Sequence, residues 1–176
     1  MLNLELAKKA ARTILIWSIS SSALAGDLPI PSQTSGDINP VLTKSVLCAP
    51  HFSTRLYRNV PSELKNDVYA SYGLTRGKLP CPCEVDHLIP LEVGGSNDIT
   101  NLWPQSYVTT PLNAHVKDCL EDKLHKLVCS GQVPLKEAQD AISSNWIDAY
   151  HKYMAMPVSG KVFSHLYENN CKGIIQ

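Results

Sequence analysis

The sequence predicts an α+β fold, mostly helical, built around one two-stranded hairpin. Three observations carry that reading. The stretch "CEVDHLIPLEVGGSNDITNLWPQ", Cys83 to Gln105, reads as strand, sharp loop and second strand, with Pro90 and Gly94-Gly95 supplying the break. "TPLNAHVKDCLEDKLHKLVCSG" repeats apolar residues at the helical period. "PLKEAQDAISSNWIDAYHKYMA" does the same with bulkier side chains.

Taken in chain order, residues 1–25 have the make-up of a signal peptide. Lys8, Lys9 and Arg12 precede the short apolar run "TILIWSIS", and "ALA" (Ala23 to Ala25) supplies small residues for cleavage. The apolar run falls short of the roughly 20 residues that a spanning helix needs. The expectation is a periplasmic or secreted protein with no membrane attachment after cleavage. Residues 26–43, "GDLPIPSQTSGDINPVLT", are rich in Pro, Ser and Gly and read as a flexible linker. Residues 44–156 then form the working domain, and residues 157–176 a C-terminal tail that Cys171 is placed to anchor.

Within the domain, "PSELKNDVYASYG" is a short helix with Gly73 as its stop. The next helix has Thr110 as N-cap, Pro111 at its first position and Gly131 as stop. Steps of 100° gather Val116, Leu120, Leu124, Leu127 and Val128 on one face. Ala114, Asp118, Glu121 and His125 share an adjoining arc, with Asn113 and Lys117 at its border, whereas His115 points away. The last helix carries a broad stripe of Leu135, Ala138, Ile142, Trp146, Ala149, Tyr150 and Tyr153 and ends before Pro157. That stripe reads as core rather than as a base-stacking platform.

Charge and cysteine content narrow the function. Sixteen Lys and Arg balance 16 Asp and Glu. Removing the leader, with three bases and Glu5, leaves a slight acidic excess. This excludes a basic nucleic-acid coat protein; attraction to a polyanion must come from a local patch or a metal ion. The cysteines Cys48, Cys81, Cys83, Cys119, Cys129 and Cys171 are even in number, and in an exported chain disulfides are the default, over a zinc cluster. Cys81 and Cys83 are not expected to bond each other, because so short a separation rarely meets disulfide geometry.

The chemistry-bearing residues converge on the hairpin. Neighbouring Asp86 and His87 serve one site only if the strand twists or bends there, and Pro90 and Gly94-Gly95 supply the break. Asn101 returns from the far side of the loop, and the following helix brings Asn113, Lys117, Asp118 and Glu121. Asn97 and Asp98 read as turn residues, and Trp103 as a core anchor. A neutral imidazole takes a proton from water near neutral pH, and a hard divalent cation on one or two oxygens offsets charge at phosphorus. The group therefore suits metal-assisted phosphodiester hydrolysis. No Gly-x-Ser-x-Gly elbow points to acyl transfer.

"DHLIPLEVGGSNDITNLWPQ", with "NAHVKDCLEDKLHKLVC" and "AISSNWIDAYHKY", resembles the HNH endonucleases, and among them a small exported bacterial group with a "DHLIPLELGG…NLWP…KD..E" pattern. The resemblance runs from about Cys48 to Tyr153. It implies a ββα-metal core packed against additional helices. His87 corresponds to the general base, Asp86 to a metal ligand, and Asn101 to the Asn that holds the loop and orients the base. On the helix, Asp118 and then Asn113 are the expected further ligands, Lys117 a phosphate contact, and Glu121, His115 and His125 additional candidates. The implied partner is DNA, cut with little sequence preference by a monomer. The implied cofactor is one divalent ion, Mg²⁺ or Mn²⁺ ahead of Zn²⁺ or Ni²⁺. A catalytically silent nucleic-acid-binding relative, or a disulfide-stapled interaction protein on the same fold, is the competing expectation.

Overall fold

The computed structural model describes residues 28–159 and Cys171. The expected signal peptide and most of the expected tail lie outside these residues. The architecture is α+β. Strand β1 (Cys83–His87) pairs antiparallel with β2 (Leu102–Ser106) in the register Asp86 to Trp103 and His87 to Leu102. Around the hairpin stand α1 (Lys44–Leu47), α2 (Ser62–Ser71), α3 (Ala114–Cys129), α4 (Leu135–Ser144) and α5 (Trp146–Tyr153).

Helix α2 covers the hairpin, and its Tyr69 hydroxyl donates to the Cys83 carbonyl at 2.6 Å. Helix α3 packs on the 3-10 turn Leu91–Val93 that follows β1, and on α1, α4 and α5. The stripe foreseen on α3 is the core: Val116, Leu120, Leu124, Leu127 and Val128 join Leu88, Val93, Trp103, Ile142, Trp146 and Tyr153 in one buried cluster. Each such large side chain contributes about 1.5–3 kcal/mol when fully removed from water, so this cluster sets where α3 presents its polar arc. Among the described residues no helix is long and apolar enough to cross a membrane.

Four local expectations are corrected. Helix α3 begins at Ala114, not Pro111, because Asn113 is the N-cap; its side chain accepts from the Val116 N–H at 3.3 Å. An Asn carbonyl at that point satisfies an otherwise orphaned helix donor. The last helix is broken in two at Asn145, which is extended (φ −165°, ψ 101°) and caps α5 by accepting from the N–H groups of Ile147 and Asp148 at 3.0 and 3.3 Å. Local capping outcompetes the continuous period, and the break lets both halves turn their apolar stripes inward.

The proline-rich segment before α1 is docked rather than loose. The Thr34 hydroxyl donates to the Leu102 carbonyl (2.9 Å), Gly36 N–H to Thr100 (3.0 Å) and Asn39 N–H to Gly94 (2.9 Å), while Ile38 bridges Gly95. Its Pro and Gly content signals a lack of regular structure, but bonds to the hairpin loop give it a defined course.

All six cysteines are paired. Cys48–Cys129 joins α1 to the end of α3, with Cα atoms 5.3 Å apart, and Cys119–Cys171 ties Cys171 to α3 at 5.7 Å. Cys81 and Cys83 pair with each other, against expectation. The chain folds at Pro82, so their Cα atoms stand 5.1 Å apart, within the usual disulfide range of about 4.4–6.8 Å.

Candidate active site

Between the hairpin, the Leu91–Val93 turn, α3 and the segment Ser53–Arg58 lies a cleft of about 480 Å³. Strand β1 contributes Glu84, Asp86 and His87; the turn contributes Glu92; α3 contributes Asp118, Glu121 and Asp122; Arg55 and Arg58 come from the Ser53–Arg58 segment. The cleft is rich in carboxylates, with few cations to balance them.

His87 is buried, at 2 % exposure, and its Nε2 lies 3.1 Å from the Asn97 Oδ1. The Asn97 amide is itself fixed by backbone on both sides: Nδ2 donates to the Tyr57 carbonyl at 2.8 Å, and Oδ1 accepts from the Asn59 N–H at 3.2 Å. A carboxamide oxygen only accepts, so the ring proton sits on Nε2 and the lone pair on Nδ1. Burial pushes the imidazole pKa down to about 4; Asp86 and the Asn97 bond oppose the shift, and Arg58 and Lys117 add to it. The ring is thus neutral across the physiological range, in one tautomer.

Lys117 ties Asp86 and His87 to one ammonium. Its side chain is fully buried, and Nζ donates to the His87 carbonyl at 2.7 Å and to Glu121 Oε1 at 2.5 Å, with Asp86 Oδ2 at 2.7 Å. The Asp86 contact is a buried ion pair that, with Glu121, neutralises the ammonium. Lys117 meets Asp86 at its carboxylate and His87 at its backbone carbonyl, and both residues line the cleft. Burial works against the ammonium, but the charges of Asp86 and Glu121 outweigh it and hold the lysine pKa above its ordinary value. Desolvation raises the carboxyl pKa values of Glu121 and Glu92. Glu92 Oε2 is buried without a donor.

Asn101 is fully buried and spends all its side-chain valences on the loop. Oδ1 accepts from Ile89 (2.9 Å) and Asp37 (3.2 Å), and Nδ2 donates to the carbonyls of Ile89 and Ser96, both 2.9 Å away. It braces the loop as expected, but its bonds go to backbone and none to the imidazole; Asn97 orients the ring instead. The same close approach requires Gly95, where an added Cβ would overlap the Ile89 carbonyl and come within 2.9 Å of Asn101 Nδ2.

The other expected residues divide. Asn113 caps α3 through its Oδ1 and is not among the residues that line the cleft. Lys117 is sealed under Asp86 and Glu121 and presents no face to a phosphate in solution. Asp118 stands half exposed at the cleft rim, 3.9 Å from His115; its carboxyl is raised to about 6 by desolvation first and by the charges of Asp86 and Glu84 next. His115 is exposed and stacks on Tyr107 at 5.2 Å. His125 is buried, donates from Nδ1 to the Glu92 carbonyl at 2.8 Å and stacks on Phe52, so it positions the Glu92 turn. Among the described residues no three His, Cys, Asp or Glu side chains are gathered as a preformed metal site.

Sequence reasoning missed Asn97, Glu92 and Arg58. Asn97 carries a turn signature that hides its second role, and "STRLYRN" has no spacing that points to a site. In comparisons with protein-family models, curated proteins and solved structures, nothing matches this chain.

Proposed function

We propose that this chain is an exported, metal-dependent endonuclease of the HNH type, hydrolysing phosphodiester bonds in DNA with little sequence preference. The observation that carries the reading is the neutral His87 ring, held in one tautomer by Asn97 at a cleft lined with carboxylates. Nδ1 accepts a proton from an attacking water; Lys117 holds the His87 backbone and Asp86 in fixed relation; Asn101 keeps the loop between the strands closed over them. Export accords with three disulfides in so short a chain.

The cleft's donors fit a hard cation. Glu92, whose Oε2 is buried without a partner, and Asp118 at the rim would hold it beside Asp86, whose carboxylate it would share with Lys117. An all-oxygen set favours Mg²⁺ or Mn²⁺ over Zn²⁺ or Ni²⁺. When bound, such an ion supplies positive charge against the charge that builds on phosphorus.

The test is plasmid cleavage by the oxidised protein with Mg²⁺, Mn²⁺ or EDTA, beside a folded His87→Ala control. Cleavage that needs metal and vanishes in the variant supports the reading. Salt-sensitive DNA binding without cleavage would move the protein to a silent binding relative, and neither activity would leave a disulfide-stapled interaction protein.

A further inference from the structure

We infer that Arg58 seats a backbone phosphate of the bound nucleic acid beside His87, and that the Asn97 amide sets the register between the two. The inference rests on the nuclease reading and adds the anchor that the reading lacks. A polyanion entering this cleft meets carboxylates of β1, the Leu91–Val93 turn and α3, and the chain has no basic surplus to draw it in. Lys117 is consumed by Asp86 and Glu121. The cations left on the cleft wall are Arg55 and Arg58, both exposed.

Backbone geometry separates the two. The Arg58 N–H donates to the Thr54 carbonyl at 2.9 Å, closing the turn beneath it. Its chain neighbours on either side are held by one side chain: Asn97 takes the Tyr57 carbonyl at 2.8 Å and the Asn59 N–H at 3.2 Å. The same amide receives the His87 ring proton at 3.1 Å. The backbone bearing Arg58 is therefore fixed relative to the imidazole through a single planar group, whereas Arg55 has no such tie to the ring. The Arg58 charge is felt at His87, Glu84 and Glu92, which places the guanidinium within electrostatic reach of all three. Its planar fork of donors matches two phosphate oxygens at once, and no hydrogen bond or ion pair within the described residues uses it.

The experiment measures anisotropy of a fluorescein-labelled 20-base-pair duplex bound to the His87→Ala protein, in which cutting is expected to be lost and binding kept, and to the same protein carrying Arg58→Ala or Arg58→Lys. The salt dependence is taken from about 50 to 200 mM. Arg58→Ala is expected to weaken binding about tenfold or more, equally for unrelated sequences, and to lower the salt slope by about one ion. Arg58→Lys keeps the slope and loses part of the affinity, because the charge remains and the fork does not. In the cleaving protein, Arg58→Ala raises KM more than it lowers kcat. Unchanged affinity and slope in Arg58→Ala overturn the Arg58 assignment while leaving the nuclease reading intact if the parent cleaves. A parent that neither binds nor cuts the duplex overturns both.

Discussion

The Asn97 carboxamide oxygen lies 3.1 Å from the His87 Nε2, and its orientation is dictated by Tyr57 and Asn59 rather than by the ring. The tautomer of His87 is thus set from outside. Asn97→Ala is expected to release the ring into a mixture of tautomers and to lower cleavage about 10- to 100-fold, as for other residues that orient a site histidine. Nitrogen-15 spectra of the imidazole check the first point: the parent shows a protonated Nε2, and the variant an averaged signal. An unchanged ring spectrum would show that something other than Asn97 holds the proton in place.

Lys117 is a stability determinant before it is anything else. Lys117→Met leaves Asp86 and Glu121 buried without their shared cation, at an expected cost of about 3–5 kcal/mol. Adding Glu121→Gln to that variant should restore part of the loss, since one uncompensated carboxylate is gone. Urea titrations of the single and double variants measure the difference.

Acid sensitivity follows from His87. Its folded pKa is about 4, against about 6.5 in an unfolded chain. Between those values the unfolded chain binds a proton that the folded one refuses, so this stabilisation is full above about pH 6.5 and fades as the pH falls toward 4. Asp118, raised to about 6, has the opposite sign: its contribution is present at low pH and lost as the pH rises through 6. The acid limb of cleavage attributable to His87 should therefore fall near pH 4 instead of near 6.5. A pH–rate profile, with the His87 ring titrated in parallel by NMR, tests this.

The Cys48–Cys129 bond closes a loop with a sequence separation of 81 residues. Chain-entropy reasoning assigns such a link about 4.5 kcal/mol. Replacing both cysteines by alanine should lower the urea midpoint accordingly. The Cys81–Cys83 pair closes almost no loop, so its removal should change global stability far less, and equal losses would argue against the entropic account.

The Asn101 side chain offers a sharper test of the loop. Asn101→Asp keeps shape but turns two donated bonds, to Ile89 and Ser96, into facing acceptors. A loss of about 2–4 kcal/mol is expected from those buried groups. Hydrogen exchange of the Ile89 amide, which donates to Asn101 Oδ1, reports whether the loop has opened.

By itself the sequence determined the α+β class, the hairpin, the buried face of α3 and the closeness of Asp86 and His87. These follow from period and punctuation: the breaks at Pro90 and Gly94-Gly95, and the spacing from Val116 to Val128. It also marked Asn101 as a brace, because an amide placed across a tight loop has backbone within reach on both sides. What it did not determine were matters of tertiary competition. Thr110 and Asn113 both have the chemistry of a helix cap, and only the packed chain shows that Asn113 is used. Lys117 looks like a surface cation until the fold buries it between two carboxylates. Asn97 and Arg58 acquire their roles from segments that meet only when the chain closes. A side chain's partners across space are set by packing, which local pattern does not encode.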